Sequence, residues 1–185
     1  HEYMEKMNAS GILDLGALDS LSNLEKGRIF PLIFEELGWG DSGLAIATLA
    51  SAIPAFTAHS TGDPEIIERF GSLPGCWIAT QPDKGSEIVD MDATNVFPGA
   101  RQLKGNIGVR KDGNDYIVNG QTSAWVSFAP LAKTAIAYLP CDYGEGVFKE
   151  GTPGLNWVAL MIPLDVPGVT KGKPLNKVGQ RPLPQ

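Results

Sequence analysis

Histidine, cysteine and clustered basic residues are scarce in this sequence, and each scarcity closes off a class of chemistry. Of 185 residues only His1 and His59 are histidine, too few for an imidazole-rich metal site. Gly40-Asp41-Ser42-Gly43 resembles the nucleophile segment of trypsin-like proteases, but His59 follows it within an Ala-rich predicted helix, which rules out a Ser-His-Asp triad. Cys76 and Cys141 stand far apart with no C-x-x-C pair, so neither a zinc site nor a disulfide framework is expected, and a reducing cytoplasm fits best. Lys and Arg number 15 against 21 Asp and Glu, giving a net charge of −6. The basic residues do not cluster, which argues against a nucleic-acid partner. Long apolar runs are also missing: residues 44–58 are interrupted by Thr48, Ser51, Pro54 and Thr57. That stretch reads as a buried Ala-rich helix instead of a membrane span. There is no internal repeat.

What is present is an ordinary globular balance, with 43% hydrophobic and 19% charged residues. A chain of this size can bury a real core, in one domain or two. Ser22 followed by Glu25 forms a capping box, and Phe30, Ile33, Phe34 and Leu37 then share one face, with Gly38 expected to end the helix. Asp41 or Ser42 caps the next helix, which runs to about His59. Asp63 caps a third, with Pro64 at its first position and Gly71 after it. From about residue 75 the texture changes to short β-rich runs separated by Gly, Pro, Asn and Asp. Strands are expected at 76–80, 105–110, 116–119, 134–139 and 157–162. Lys111-Asp112-Gly113 reads as a hairpin turn, and 143–154 as a surface loop. The predicted fold class is therefore α+β and multidomain: a partial N-terminal helical domain over 1–73, then an antiparallel β-barrel or sheet domain over 74–185. No closing strand or helix is read before Gln185, so the sequence is expected to stop inside a larger protein.

Two glycine patterns need to be told apart. Gly38-Trp39-Gly40-Asp41-Ser42-Gly43 fits G-x-G-x-x-G, but a dinucleotide loop must follow a strand, and here a helix precedes it. The glycines read as punctuation between helices. Thr80-Gln81-Pro82-Asp83-Lys84-Gly85-Ser86-Glu87 differs, because a predicted strand leads into a polar Gly-Ser turn. Such a turn presents N–H groups and a hydroxyl to an anion, and Gly85 lets a phosphate come close.

That segment resembles the flavin-binding signature of the acyl-CoA dehydrogenase family, Thr-Glu-Pro-x-Ala-Gly-Ser-Asp. Further on, Tyr116-Ile117-Val118-Asn119-Gly120 and then Trp125-Val126-Ser127 resemble the family's second signature, Tyr-x-x-Asn-Gly followed by Trp-Ile-Thr or Trp-Ile-Ser. Val166-Pro167-Gly168-Val169 and Leu175-Asn176-Lys177-Val178-Gly179-Gln180-Arg181 resemble two later family blocks, in the family's order. Glu35-Glu36-Leu37-Gly38 and the helix after it resemble its N-terminal domain. Departures are Gln81 for Glu, Lys84 for Ala, Glu87 for Asp, and one extra residue between Gln121 and Trp125.

The resemblance implies FAD as cofactor and an acyl-CoA thioester as substrate, with α,β-dehydrogenation and hydride transfer to flavin N5. It assigns Trp77, Ala79 and Thr80 to the isoalloxazine, Gly85 and Ser86 to the pyrophosphate, Trp125 to a ring face and Ser127 to N5. Each has a plainer role open to it, since a strand Trp is commonly core and a strand Ser commonly solvated. Lys84 would add attraction for a phosphate. The resemblance further implies a homo-oligomer, dimer or tetramer, and an electron-transfer flavoprotein as redox partner. The family's catalytic Glu lies in a C-terminal helical domain, so no catalytic residue is nominated and the chain alone is expected to be inactive. Two alternatives remain: an acyl-CoA oxidase or flavin monooxygenase on the same scaffold, and a non-catalytic subunit or interaction module.

Overall fold

The structure, a computed structural model, describes residues 2–11, 20–80, 106–148, 150 and 155–184. Helix α1 spans Glu2–Ser10, α2 Asn23–Gly40, α3 Ser42–Thr61 and α4 Pro64–Phe70. The capping box forms as expected: Ser22 N–H and Oγ both donate to Glu25 Oε2, at 2.8 and 2.6 Å, and Glu25 N–H donates to Ser22 Oγ at 3.3 Å. Helix α2 runs past Gly38 to Gly40, because the stop signal is Asp41. Its extended backbone (φ −162°, ψ 116°) closes α2 through a bond from its N–H to Leu37 O, while its carboxylate accepts the Leu44 N–H at 2.9 Å and opens α3. Asp63, with Pro64 after it, caps α4 by accepting from the Glu65 and Ile66 N–H groups.

Helix α3 is the helix on which the fold is built. By length and composition it could cross a membrane, which corrects the expectation that no apolar run is long enough to do so. However, 56% of its most apolar stretch is buried against the rest of the fold. Thr48 and Ser51 can lie buried because their hydroxyls donate to Leu44 O and Thr48 O, at 2.9 and 2.8 Å, inside the same helix. Small side chains let α3 come close to the first strand. A Cβ added to Gly75 would lie 2.3 Å from Pro54 Cγ, which leaves glycine as the only residue that fits.

Among the described residues five strands follow: β1 Gly75–Ile78, β2 Gly108–Asp112, β3 Asp115–Asn119, β4 Thr134–Asp142 and β5 Trp157–Pro163. All five expected strands form. The expected antiparallel pattern does not: the sheet is mixed, in the order β1-β4-β2-β3 with β5 also on β4, and among the described residues it does not close into a barrel. The two antiparallel pairs among the described residues each join strands consecutive in sequence. The hairpin β2–β3 turns at Gly113 (φ +59°) with Asp112 opposite Asp115, and β5 returns along β4. The segment from β1 to β4 is long enough to bring the chain back to its starting end, so β4 runs parallel to both β1 and β2.

Strand β4 is central and almost wholly buried. Ala135 joins an apolar cluster with Ala47 and Ala50 of α3, Cys76, Val126 and Phe128. Ala137, Leu139 and Cys141 join a second with Ile107 and Val109. The strand continues through Pro140 beyond its expected end at Leu139. Cys141 N–H donates toward the β5 side, to Asn156 O, so the N–H that Pro140 lacks would have faced the opposite edge. There β1 pairs only as far as Ala137 and β2 begins at Cys141.

Candidate functional site

The end of β1 and the turn after the β2–β3 hairpin meet at one joint. Along β1, Cys76 is buried while Trp77 is 42% exposed, so successive side chains face opposite ways and the indole is on the open face. Ala79 and Thr80 continue from the strand's end and are half-buried. Ser123 N–H donates to Thr80 O at 3.1 Å, and the hydroxyls of Thr80 and Ser123 lie 2.5 Å apart. Trp125 N–H donates to Ser123 Oγ at 3.3 Å. Trp125 itself is 66% exposed, whereas Val126 and Phe128 on either side of Ser127 are buried. Ser127 is half-buried.

The far end of this stretch is pinned too. Phe128 adopts a left-handed backbone (φ 67°), which is costly for a bulky residue, and its N–H donates to Pro184 O at 2.6 Å. The C-terminal segment is held down by Leu183, buried in the first cluster, by Lys171 Nζ donating to Ala132 O and by Lys177 Nζ donating to Leu183 O.

Five of the seven expected site residues are thus placed. Thr80 and the stretch leading through Trp125 to Ser127 are brought together; Trp77 and Trp125 expose their rings, and Ala79 lies between Trp77's strand and Thr80. Gly85 and Ser86, with Lys84, lie outside the described residues. Sequence reasoning missed Ser123, which is the joint itself. The only signal for it was the extra residue between Gln121 and Trp125, where Ser123 lies.

The arrangement offers two exposed indoles beside half-buried hydroxyls and main-chain groups. These suit a flat heteroaromatic ring with a polar edge, so the described residues fit the ring portion of a flavin. Burial pushes the Cys76 thiol up to about 11, against the opposite pull of Lys171, and so keeps it protonated. His59 is a packing residue, its Nε2 3.3 Å from Gly71 O.

No family model matches the sequence. The chain is 30% identical over 168 residues to L-prolyl-[peptidyl-carrier protein] dehydrogenase of Serratia sp., an alignment covering 82% of this chain and 37% of that protein. It is 27% identical to acyl-CoA dehydrogenase family member 11 of Gallus gallus, over 95% of this chain and 21% of that one. The fold matches a glutaryl-CoA dehydrogenase from Mycobacterium smegmatis, solved in complex with FADH2, with a TM-score of 0.58 at 22% identity over 82% of this chain and 34% of that one. A helical segment feeding a mixed sheet is therefore shared with solved acyl-CoA dehydrogenases. This chain belongs to the acyl-CoA dehydrogenase family. It spans between about a fifth and two fifths of the length of these curated relatives.

Proposed function

We propose that this chain forms the flavin-binding portion of an acyl-CoA dehydrogenase-type oxidoreductase, one that oxidises the α,β bond of an acyl thioester. The observation that carries this reading is the joint between Thr80 and Ser123, which brings the start of the first signature against the turn inside the second. The FADH2 complex of the M. smegmatis enzyme supports FAD as the cofactor. FAD supplies the acceptor for the hydride that leaves the β-carbon. Toward it, Trp77 and Trp125 offer ring faces, and Ala79 and Thr80 offer main-chain groups and a hydroxyl to the polar edge. Ser127 offers a hydroxyl where negative charge accumulates. Gly85 and Ser86 are assigned to the pyrophosphate on sequence alone. Residues 1–73 are taken as part of a helical domain and 74–185 as the middle β-domain.

No carboxylate of this chain is nominated to take the α-proton. The 185-residue chain by itself is therefore expected not to turn over, since a placed base typically contributes a factor of about 10² to 10⁴. Homo-oligomeric assembly, an electron-transfer flavoprotein partner and a cytoplasmic location belong to the same proposal. The two free, buried cysteines accord with the last of these.

The test is titration of the purified chain with FAD, followed by flavin fluorescence and visible absorption. A saturable quench with a structured flavin band is expected, because indole rings against isoalloxazine quench its emission. A flat titration to sub-millimolar FAD would overturn the reading. A second reading, favoured by the Serratia relative, is that the acyl group is carried on a carrier protein instead of CoA. Calorimetric titration of the FAD-loaded protein with acyl-CoA and with the matching acyl-carrier protein separates the two.

A further inference from the structure

We propose that Ser123 is a positioning residue of the flavin cradle, its hydroxyl fixing both the side chain of Thr80 and the turn that carries Trp125 and Ser127. The inference rests on the flavin reading above.

Ser123 uses every polar group it has. Its N–H donates to Thr80 O, just past the end of β1, at 3.1 Å, and its carbonyl accepts the Thr122 hydroxyl at 2.9 Å. One lone pair of its Oγ takes the Trp125 N–H at 3.3 Å. A hydroxyl has one proton and two lone pairs. With Trp125 already on the Ser123 oxygen, a proton donated from Ser123 to Thr80 across their 2.5 Å contact satisfies the pair and leaves Thr80 Oγ1 with its own proton and one lone pair. Thr80 can then both donate to and accept from the edge of a ring. Without Ser123, Thr80 would rotate freely about χ1 and divide its hydroxyl between water and the ring.

The joint is not what holds the fold together. Cys76, Val126 and Phe128 belong to one buried apolar cluster, which keeps β1 and the 126–128 stretch adjacent whatever occupies position 123. Phe128, bonded to Pro184, anchors one end of this stretch, and the Ser123 hydroxyl anchors the other. Removing that hydroxyl should leave packing intact and free the exposed middle, Trp125 included.

The experiment compares the wild-type chain with Ser123→Ala and Ser123→Thr, reading FAD dissociation constant, visible circular dichroism of bound flavin at saturation, and thermal unfolding without FAD. Ser123→Ala is expected to weaken FAD about tenfold, the worth of one hydrogen bond at the strong end of the usual range. It should also change the flavin dichroism while unfolding cooperatively near the wild-type temperature. Ser123→Thr, which keeps the hydroxyl, should restore most of both. Wild-type affinity and dichroism in Ser123→Ala would overturn the positioning role and leave the flavin reading standing. Equal loss in both variants, with matching loss of melting temperature, would overturn it in favour of a purely structural role. If wild type itself takes no FAD, the flavin reading falls and this inference falls with it.

Discussion

Helices α2 and α3 are neighbours of 18 and 20 residues joined through the single residue Asp41, yet α3 buries ten of its residues and α2 buries none. Both carry an internal proline and both start at a well-formed cap. They differ in what lies alongside. Helix α3 is packed against β1, β4, α4 and α2, whereas α2 meets α3 through the edge-on pair Phe30 and Phe56, 5.3 Å apart. Leu24, Leu32 and Trp39 of α2 remain 64%, 60% and 85% exposed. Stability in α3 therefore comes from burial, and in α2 from local signals at its ends.

That contrast fixes the expected ranking of substitutions. Ala58 is wholly buried in α3, so Ala58→Asp places a carboxylate with no partner in the core; a loss on the order of 4 kcal/mol is expected in urea denaturation. Gly75→Ala forces a Cβ against Pro54 across the contact between α3 and β1. About 1–3 kcal/mol should be lost, read as a lowered midpoint with an unchanged denaturant slope. Ser22→Ala removes the α2 cap and should lose about 1 kcal/mol, with helicity falling by circular dichroism.

A smaller and reversible version of the last change comes from pH. The bonds from the Ser22 hydroxyl and backbone hold the Glu25 carboxyl below its usual range, so the folded state releases this proton more readily than the unfolded one. The capping contribution is therefore fully present above the ordinary carboxylate pKa and fades as pH falls through the lowered folded value. Acid titration of Glu25→Gln should lack that component. Least of all, Leu32→Asp on the open face of α2 should change stability by less than about 0.5 kcal/mol. A large loss there would mean that α2 depends on packing as α3 does.

Local chemistry in this chain was readable from the sequence. Ser22 with Glu25, Asp63 with Pro64 and the turn at Gly113 each declare themselves within a few residues, because caps and tight turns are satisfied by near neighbours. The pairing partner of β1 is not declared that way, since nothing near Cys76 specifies Ala135, and the expected antiparallel pattern was corrected for that reason. Pro140 ended the expected strand too soon because the sequence does not reveal which edge a missing N–H would face. At the candidate site, the aromatic and Gly-Ser signatures pointed to Thr80, Trp77 and Trp125. Ser123 stayed hidden because its importance comes from a contact with Thr80 that only the folded chain creates.

The parallel pairing of β1 with β4 also has a consequence in time. Gly75 finds its partner only at Thr134, so a chain leaving the ribosome can complete α3 and present β1 well before that edge has anything to bond. Contacts so distant in sequence raise contact order and slow folding. In the interval, the apolar run from Cys76 to Ile78 is held chiefly by the α3 helix that precedes it, which makes that helix the nascent chain's own shield against intermolecular strand pairing.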